Sequence, residues 1–381
     1  MANLFDYLDW RADVPFSVAP FNEVDNLVLS MLSYTKFDGI VSGGASEISI
    51  RDAADAFFSV HSKEDIEKHA VFSNRAPLLL PKMLDGARFC DIRLRNYMNV
   101  IDKETDSQVS AVTFLLSDGT AFAAFRGTDE TYVGWKEDFN FSYREQTGGQ
   151  RAAAVYLDRV GDAAPRLRVG GHSKGGNFAV YASAFCSESV QSRIETVYTN
   201  DGPGLIEPLT KSEAYKRILP RIRSIVPDSS VVGMLLSRGY EHKVIKSSAR
   251  AVLQHDGFTW NVERDRFTET TLSDHGKFTE QALGSWIGGL SDAERAAFTE
   301  TVFDILEGTG TEGLDELNEK KLRGLDAGIR AMRKMPRERQ REFLRVMRSL
   351  NKSIGKTARS RMSEELLLRM SAGLQTYIEA E

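Results

Sequence analysis

Five residues constrain this chain more than any others. Gly171-His172-Ser173-Lys174-Gly175 lies between a short apolar run, Leu167-Arg168-Val169, and the small-residue stretch Asn177 to Phe185. A serine on a turn that passes directly from a strand into a helix is forced into strained backbone geometry. Glycines on either side remove clashes with the neighbouring strand and helix. The helix that follows directs its positive end at negative charge developing beside the serine. As a bare pattern G-x-S-x-G arises by chance, but here the strand before it and the helix after it supply the required context. Ser173 is therefore a candidate nucleophile. A glycine-rich loop that binds phosphate at a helix N-terminus is the alternative. Lys174 suits that reading, but the loop lacks the G-x-x-x-x-G-K-[ST] spacing.

The chain around this turn reads as alternating strands and helices. Val109 to Leu116 and Thr120 to Phe125 flank Ser117-Asp118-Gly119, an Asp-Gly hairpin signal. Arg151 to Val160 is helical, and Glu195 to Thr199, Arg223 to Val226 and His242 to Lys246 are strands, with a helix over Lys211 to Leu219. A hairpin followed by strand–helix alternation predicts a mixed, mostly parallel sheet flanked by helices. Residues 1–105 read as an N-terminal helical or cap region packed on an α/β core at 106–283. Within the first part, Asn22 caps an apolar helix and Ser62 opens another that runs to Phe72. Residues 284–381 read as a C-terminal helical extension, with helices over Ala293–Leu306, Leu314–Met335, Arg337–Leu350 and Glu364–Ile378.

A serine needs a base, most often histidine, oriented by a carboxylate. Of the six histidines, His255 lies in a loop after the last strand, where the order serine, acid, histidine places the base; His275 is the runner-up. His61 and His69 precede the sheet, His172 sits inside the turn, and His242 starts a strand. Asp228, after the strand Arg223 to Val226, is the favoured acid, and Asp201 is its rival in Asp201-Gly202-Pro203-Gly204. The oxyanion needs two backbone donors. Lys174, the residue after the nucleophile, offers one, and Thr128 in Phe125-Arg126-Gly127-Thr128-Asp129 is the candidate for the second. A plain turn closed by an Arg126–Asp129 ion pair is the alternative for that loop.

Phe125-Arg126-Gly127-Thr128, Trp135, Gly171 through Asn177, and Asn200-Asp201-Gly202-Pro203-Gly204 resemble the class 3 (fungal-type) lipases of the α/β-hydrolase superfamily over residues 110–260. Asp6 to Arg11 and Gln254 to Trp260 resemble a bacterial branch of lipase-like proteins. The resemblance implies an α/β-hydrolase fold, a serine esterase with nucleophile Ser173, acid Asp228 and base His255, and oxyanion donors Thr128 and Lys174. Lys174 stands where that family has an apolar residue. Together with the missing secretory signal, this implies an intracellular esterase or acyl hydrolase rather than a secreted triglyceride lipase. An acyltransferase or thioesterase on the same triad, or a non-catalytic interaction protein that keeps the fold, are the rival readings.

Composition bounds the partners. With 41% apolar and 27% charged residues the chain can bury a core. Cys90 and Cys186 are too few for a disulfide framework or a four-thiolate zinc site, and no cluster has metal-ligand spacing, so no metal or cofactor is expected. Met1 to Val14 carry acids and a Trp rather than a basic start and an apolar run, and no stretch nears the ~20 apolar residues of a membrane span. The expectation is a cytoplasmic protein. The net charge of -5 conceals a basic segment from Lys320 to Arg361, with fifteen Lys/Arg against three acids. Within it, residues 337–350 alternate Phe343, Leu344, Val346, Met347 and Leu350 with arginines, a pattern that suits an anionic membrane surface or plain packing. No nucleic-acid reader motif is present.

Overall fold

In the computed structural model, which describes residues 1–68, 72–129, 131–309, 332 and 335–378 with side chains as far as 358, eight strands form one sheet in sequential order. β1 (Ile48–Ser49), β2 (Arg93–Asp102), β3 (Ser107–Leu115) and β4 (Thr120–Phe125) pair antiparallel. From β4 onward, β5 (Arg166–His172), β6 (Ile194–Asn200), β7 (Ile222–Pro227) and β8 (His242–Ile245) run parallel. A two-stranded ribbon, β9 (Val262–Glu263) with β10 (Arg266–Phe267), lies apart from it. The helices are α1 (Leu4–Arg11), α2 (Glu23–Leu32), α3 (Ile50–Val60), α4 (Lys63–Lys68), α5 (Leu79–Leu84), α6 (Tyr132–Asn140), α7 (Gly148–Val160), α8 (Lys174–Phe185), α9 (Glu188–Gln191), α10 (Glu207–Thr210), α11 (Glu213–Ile218), α12 (Asp274–Gly288), α13 (Asp292–Glu307) and α14 (Arg337–Ile378). This is the mixed, mostly parallel sheet flanked by helices that the sequence predicts.

The strand order explains the layers. Parallel crossovers share one hand, so connections that advance one strand at a time all return along the same face. Helices α7, α8 and α11 accordingly cover one side. There Ala121, Ala123 and Phe125 of β4 and Val169 of β5 pack on Tyr156, Leu157, Phe178 and Ile218. The alternate residues, Phe122 and Ala124, point the other way, as the two-residue period of a strand demands. Their partners come from the N-terminal segment: Leu4 and Tyr7 of α1, Leu27, Val28 and Met31 of α2, and Leu79, Leu80 and Met83 of α5. Asn22 starts α2 by accepting from the amides of Val24 at 2.8 Å and Asp25 at 3.0 Å.

A buried charge cluster ties this layer together. Arg88 holds Asp25 in an ion pair with both side chains fully buried, and donates to the carbonyls of Val14 and Ala19 at 2.9 Å. The Tyr7 hydroxyl donates to Asp25 Oδ1 at 2.7 Å. Removing either charge would leave its partner desolvated and alone, a loss of about 3–5 kcal/mol.

Two sequence expectations change here. The sheet takes β1 and β2 from the stretch read as helical; a bulge between Arg95 and Met98, with Asn96 at φ +55, breaks the alternation that would have marked β2. The helix expected from Ser62 to Phe72 is described over Lys63–Lys68, and Phe72 itself opens a 3-10 segment, Phe72–Leu78. Leu79, Leu80, Met83 and Phe89 belong to the core on this face of the sheet. At the C-terminus, α12, α13 and α14 pack on one another around Phe298 and Val346. Phe343 stacks on Phe298 at 5.4 Å, and Arg345 and Arg339 pair with Glu294 at 2.5 Å and Asp304 at 2.8 Å. The apolar side of residues 337–350 thus meets helices of its own chain. The helix expected over 314–335, and His69, lie outside the described residues. Among the described residues no helix is long and apolar enough to cross a membrane.

Candidate active site

Ser173 caps α8 directly after β5, with φ +59 and ψ -131, a conformation that L side chains rarely adopt. Such strain persists only where its surroundings impose it. The surroundings are tight: a Cβ on Gly171 would collide with the Gly175 backbone, and one on Gly175 with the Phe125 carbonyl. Glycine at these two positions is what lets β4, β5 and α8 approach closely enough to present the serine.

His255 follows β8 in a short 3-10 turn, Ala251–His255, and reaches back over the strand ends. Its Nε2 lies 2.9 Å from Ser173 Oγ, and its Nδ1 lies 2.6 Å from Asp201 Oδ2. Asp201 is fully buried at the end of β6. Burial alone would raise its carboxyl, but hydrogen bonds from His255 and from Ser230 and the charge on His255 hold it below the usual carboxylate range. Its other oxygen, Oδ1, accepts from the Ser230 hydroxyl and from the Gly233 amide at 3.1 Å.

The favoured acid is therefore corrected. β6 adjoins the nucleophile strand β5 and β7 lies one strand further out, so an imidazole on Ser173 reaches the end of β6. Asp228 instead accepts from Gln254 Nε2 and Ser229 Oγ, both at 3.0 Å. It meets the residue before His255, not His255 itself. The runner-up His275 is exposed on the first turn of α12.

Gly127 packs against the nucleophile, for a Cβ there would collide with Tyr34 Oη and the His172 carbonyl and crowd Ser173 Cβ. Thr128 thus follows a residue packed on Ser173, with its hydroxyl donating to Asp138 Oδ2. Burial pushes Asp138 up to about 6, opposed by the charge of Lys174 and the hydrogen bond from Thr128. The Arg126–Asp129 pair of the alternative reading also forms, at 3.4 Å. Lys174 offers its amide at the unpaired start of α8, while its side chain turns inward. Nζ lies 3.2 Å from the Gly134 carbonyl and 3.4 Å from Glu137 Oε2, with both charged side chains fully buried. Glu137 also accepts from the amides of Gln108 and Gly149, each at 2.8 Å. These contacts answer how a lysine fits after Ser173 with its side chain fully buried.

Sequence reasoning missed His172. Its Nε2 lies 2.7 Å from the His255 carbonyl and its Nδ1 3.0 Å from Tyr34 Oη. Nothing in the residue pattern assigned Tyr34 to this neighbourhood. Beyond Asp201, the loop continues into a cavity of about 530 Å³ lined by Leu205, Ile206, Met234, Leu236, Arg238 and Ile287 among others, a size typical of small-molecule sites. Among the described residues no group of three or more His, Cys, Asp or Glu is arranged to hold a metal ion.

The crystal structure of M37 lipase matches over 56% of this chain and 70% of its own, at 11% identity and a TM-score of 0.36. A fungal lipase–inhibitor complex matches over 54% and 70%, at 16% identity and a TM-score of 0.33. No curated protein matches the chain. The Mbeg1-like family model matches residues 83–304, from α5 to the end of α13 and including Ser173, Asp201 and His255. With most of its length so matched, the chain belongs to the Mbeg1-like family.

Proposed function

We propose that the protein is a serine hydrolase that cleaves carboxylic esters through an acyl-enzyme. The observation that carries this reading is the continuous chain Ser173 Oγ–His255 Nε2 at 2.9 Å and His255 Nδ1–Asp201 Oδ2 at 2.6 Å. Ser173 Oγ bonds to the ester carbonyl carbon as its proton passes to His255 Nε2. Asp201, ionised and buried, stabilises the imidazolium and fixes the ring. The amides of Lys174 and Thr128 face the oxyanion from the elbow and from the loop after β4. The imidazolium gives its proton to the departing alcohol, and water then releases the acid by the same steps in reverse. A lipid ester is within this class.

A fluorophosphonate probe tests the reading. It is expected to label Ser173 in the native protein and to leave Ser173→Ala unlabelled. Absence of labelling in the folded native protein, together with no hydrolysis across short- and long-chain esters, would overturn it in favour of a binding protein on a hydrolase fold.

A further inference from the structure

The 3-10 segment Phe72–Leu78 precedes the family-matched region and lies on the loop that carries the base. The Phe72 ring stacks on the His255 imidazole with centroids 5.9 Å and planes 21° apart, and meets His172 at the same distance, tilted by 56°. Arg75 fastens the segment. It pairs with Asp256, the residue after the base, and its guanidinium lies 4.9 Å from the centre of the Phe258 ring. Phe72 sits at φ +48, the left-handed region that a bulky side chain enters only under constraint. An aromatic ring is thus held, at a conformational cost, against the face of the base.

We propose that Phe72 walls the leaving-group side of the site and selects esters whose alcohol portion is apolar. The proposal rests on the ester-hydrolase reading. In acylation Ser173 Oγ bonds to the carbonyl carbon as the carbon–alkoxy bond breaks, and the proton taken by His255 Nε2 passes to the departing alkoxide. The alcohol substituent therefore begins within hydrogen-bond reach of Nε2, beside the imidazole that Phe72 covers. Val252 and Leu253, 63% and 69% exposed, continue apolar surface along the same loop. The charges nearest the strap, Arg75 and Asp256, neutralise each other. An alkyl or aryl alcohol gains contact with such a wall, whereas a charged one loses water without gaining a partner.

Ethyl, hexyl and benzyl esters of one acid share an acyl-enzyme, so differences in kcat/KM among them report on acylation. The native protein is expected to favour benzyl and hexyl over ethyl. Phe72→Ala should lower the benzyl-to-ethyl ratio roughly tenfold, and Phe72→Leu, which keeps apolar volume without a ring, should lower the benzyl-to-hexyl ratio. If Phe72→Ala fails to fold, the leucine variant decides alone. An unchanged ratio in the folded variant, with Ser173 still labelled by fluorophosphonate, overturns the proposal and leaves the hydrolase reading standing. Labelling of the native protein without hydrolysis of any of the three esters also overturns it. No labelling and no hydrolysis overturn both.

Discussion

The His172 ring nitrogen Nε2 lies 2.7 Å from the carbonyl oxygen of His255, so the residue before Ser173 holds His255 by its backbone. A carbonyl only accepts, so Nε2 carries the proton and Nδ1 accepts from the Tyr34 hydroxyl. Burial, with the charge of His255 beside it, pulls His172 down to about 3 and keeps the ring neutral. His172→Phe removes both hydrogen bonds, and a loss of roughly tenfold to a hundredfold in kcat is expected, as for other residues that orient a reactive side chain.

The same ring makes stability pH-dependent. The unfolded chain binds a proton at His172 near pH 6.5, while the folded chain refuses it until about 3. The unfolded state thus holds more protons across this window, and stability falls as pH drops through it. Urea melts at pH 7, 5 and 4 should show this slope, and it should be shallower in His172→Gln.

Asp201→Asn and Asp228→Asn separate the two carboxylates. With Asp201 on the base, its amide variant should lose on the order of 10⁴-fold in kcat by favouring the wrong imidazole tautomer. Asp228→Asn keeps an oxygen for Gln254 and should change kcat by less than about tenfold. Equal losses in both would remove Asp201 from its role.

Asp138 carries the opposite sign. Its folded carboxyl is raised to about 6 from 3.8, so between these values the folded chain holds more protons and stability falls as pH rises through the window. Asp138→Asn abolishes this loss and still offers an oxygen to Thr128. A higher melting temperature than the native protein at pH 7, with the difference gone near pH 4, is the expected result.

Lys174→Met strands the buried Glu137 carboxylate with only its two backbone donors, and should cost about 3 kcal/mol in denaturant melts. The double variant Lys174→Met with Glu137→Gln should regain part of that. If the double variant is no better than the single, the pair is not the reason for the loss.

The apolar side of α14 is already engaged by α12 and α13. Co-sedimentation with vesicles should therefore give little binding to neutral or anionic lipid. Val346→Asp, which places a charge at a position 1% exposed, should undock the helix and expose it to protease. Strong native binding to anionic vesicles would revive a membrane role for residues 337–350.

What the sequence made legible is local chemistry. The Ser173 turn and the Asp118-Gly119 hairpin rest on neighbouring residues, and each reads correctly from glycine placement and strand period. That His255 comes to Ser173 follows from its place after the last strand, a matter of chain order. Asp201 and Asp228 were not separable in this way, since both follow strands and only the adjacency of β5 and β6 decides between them. β2 was missed because its bulge erases the period. The inward turn of Lys174 depends on Glu137, 37 residues away, and nothing local announces it.

The one-sided crossovers have a consequence for how the chain comes together. The helices before residue 83 are made first, yet their apolar sides have no partner until the sheet exists. Asn26 must meet Asn200, 174 residues later, and Glu23 must meet Lys243, 220 residues later. Contacts this distant in sequence form slowly, because loop closure is costly before any contact rewards it. During synthesis Leu27, Val28 and Met31 therefore wait as an unsatisfied surface until β8 has emerged. The protein should fold late and as a whole, and a chain interrupted before residue 245 should be captured by chaperones rather than persist as a folded half.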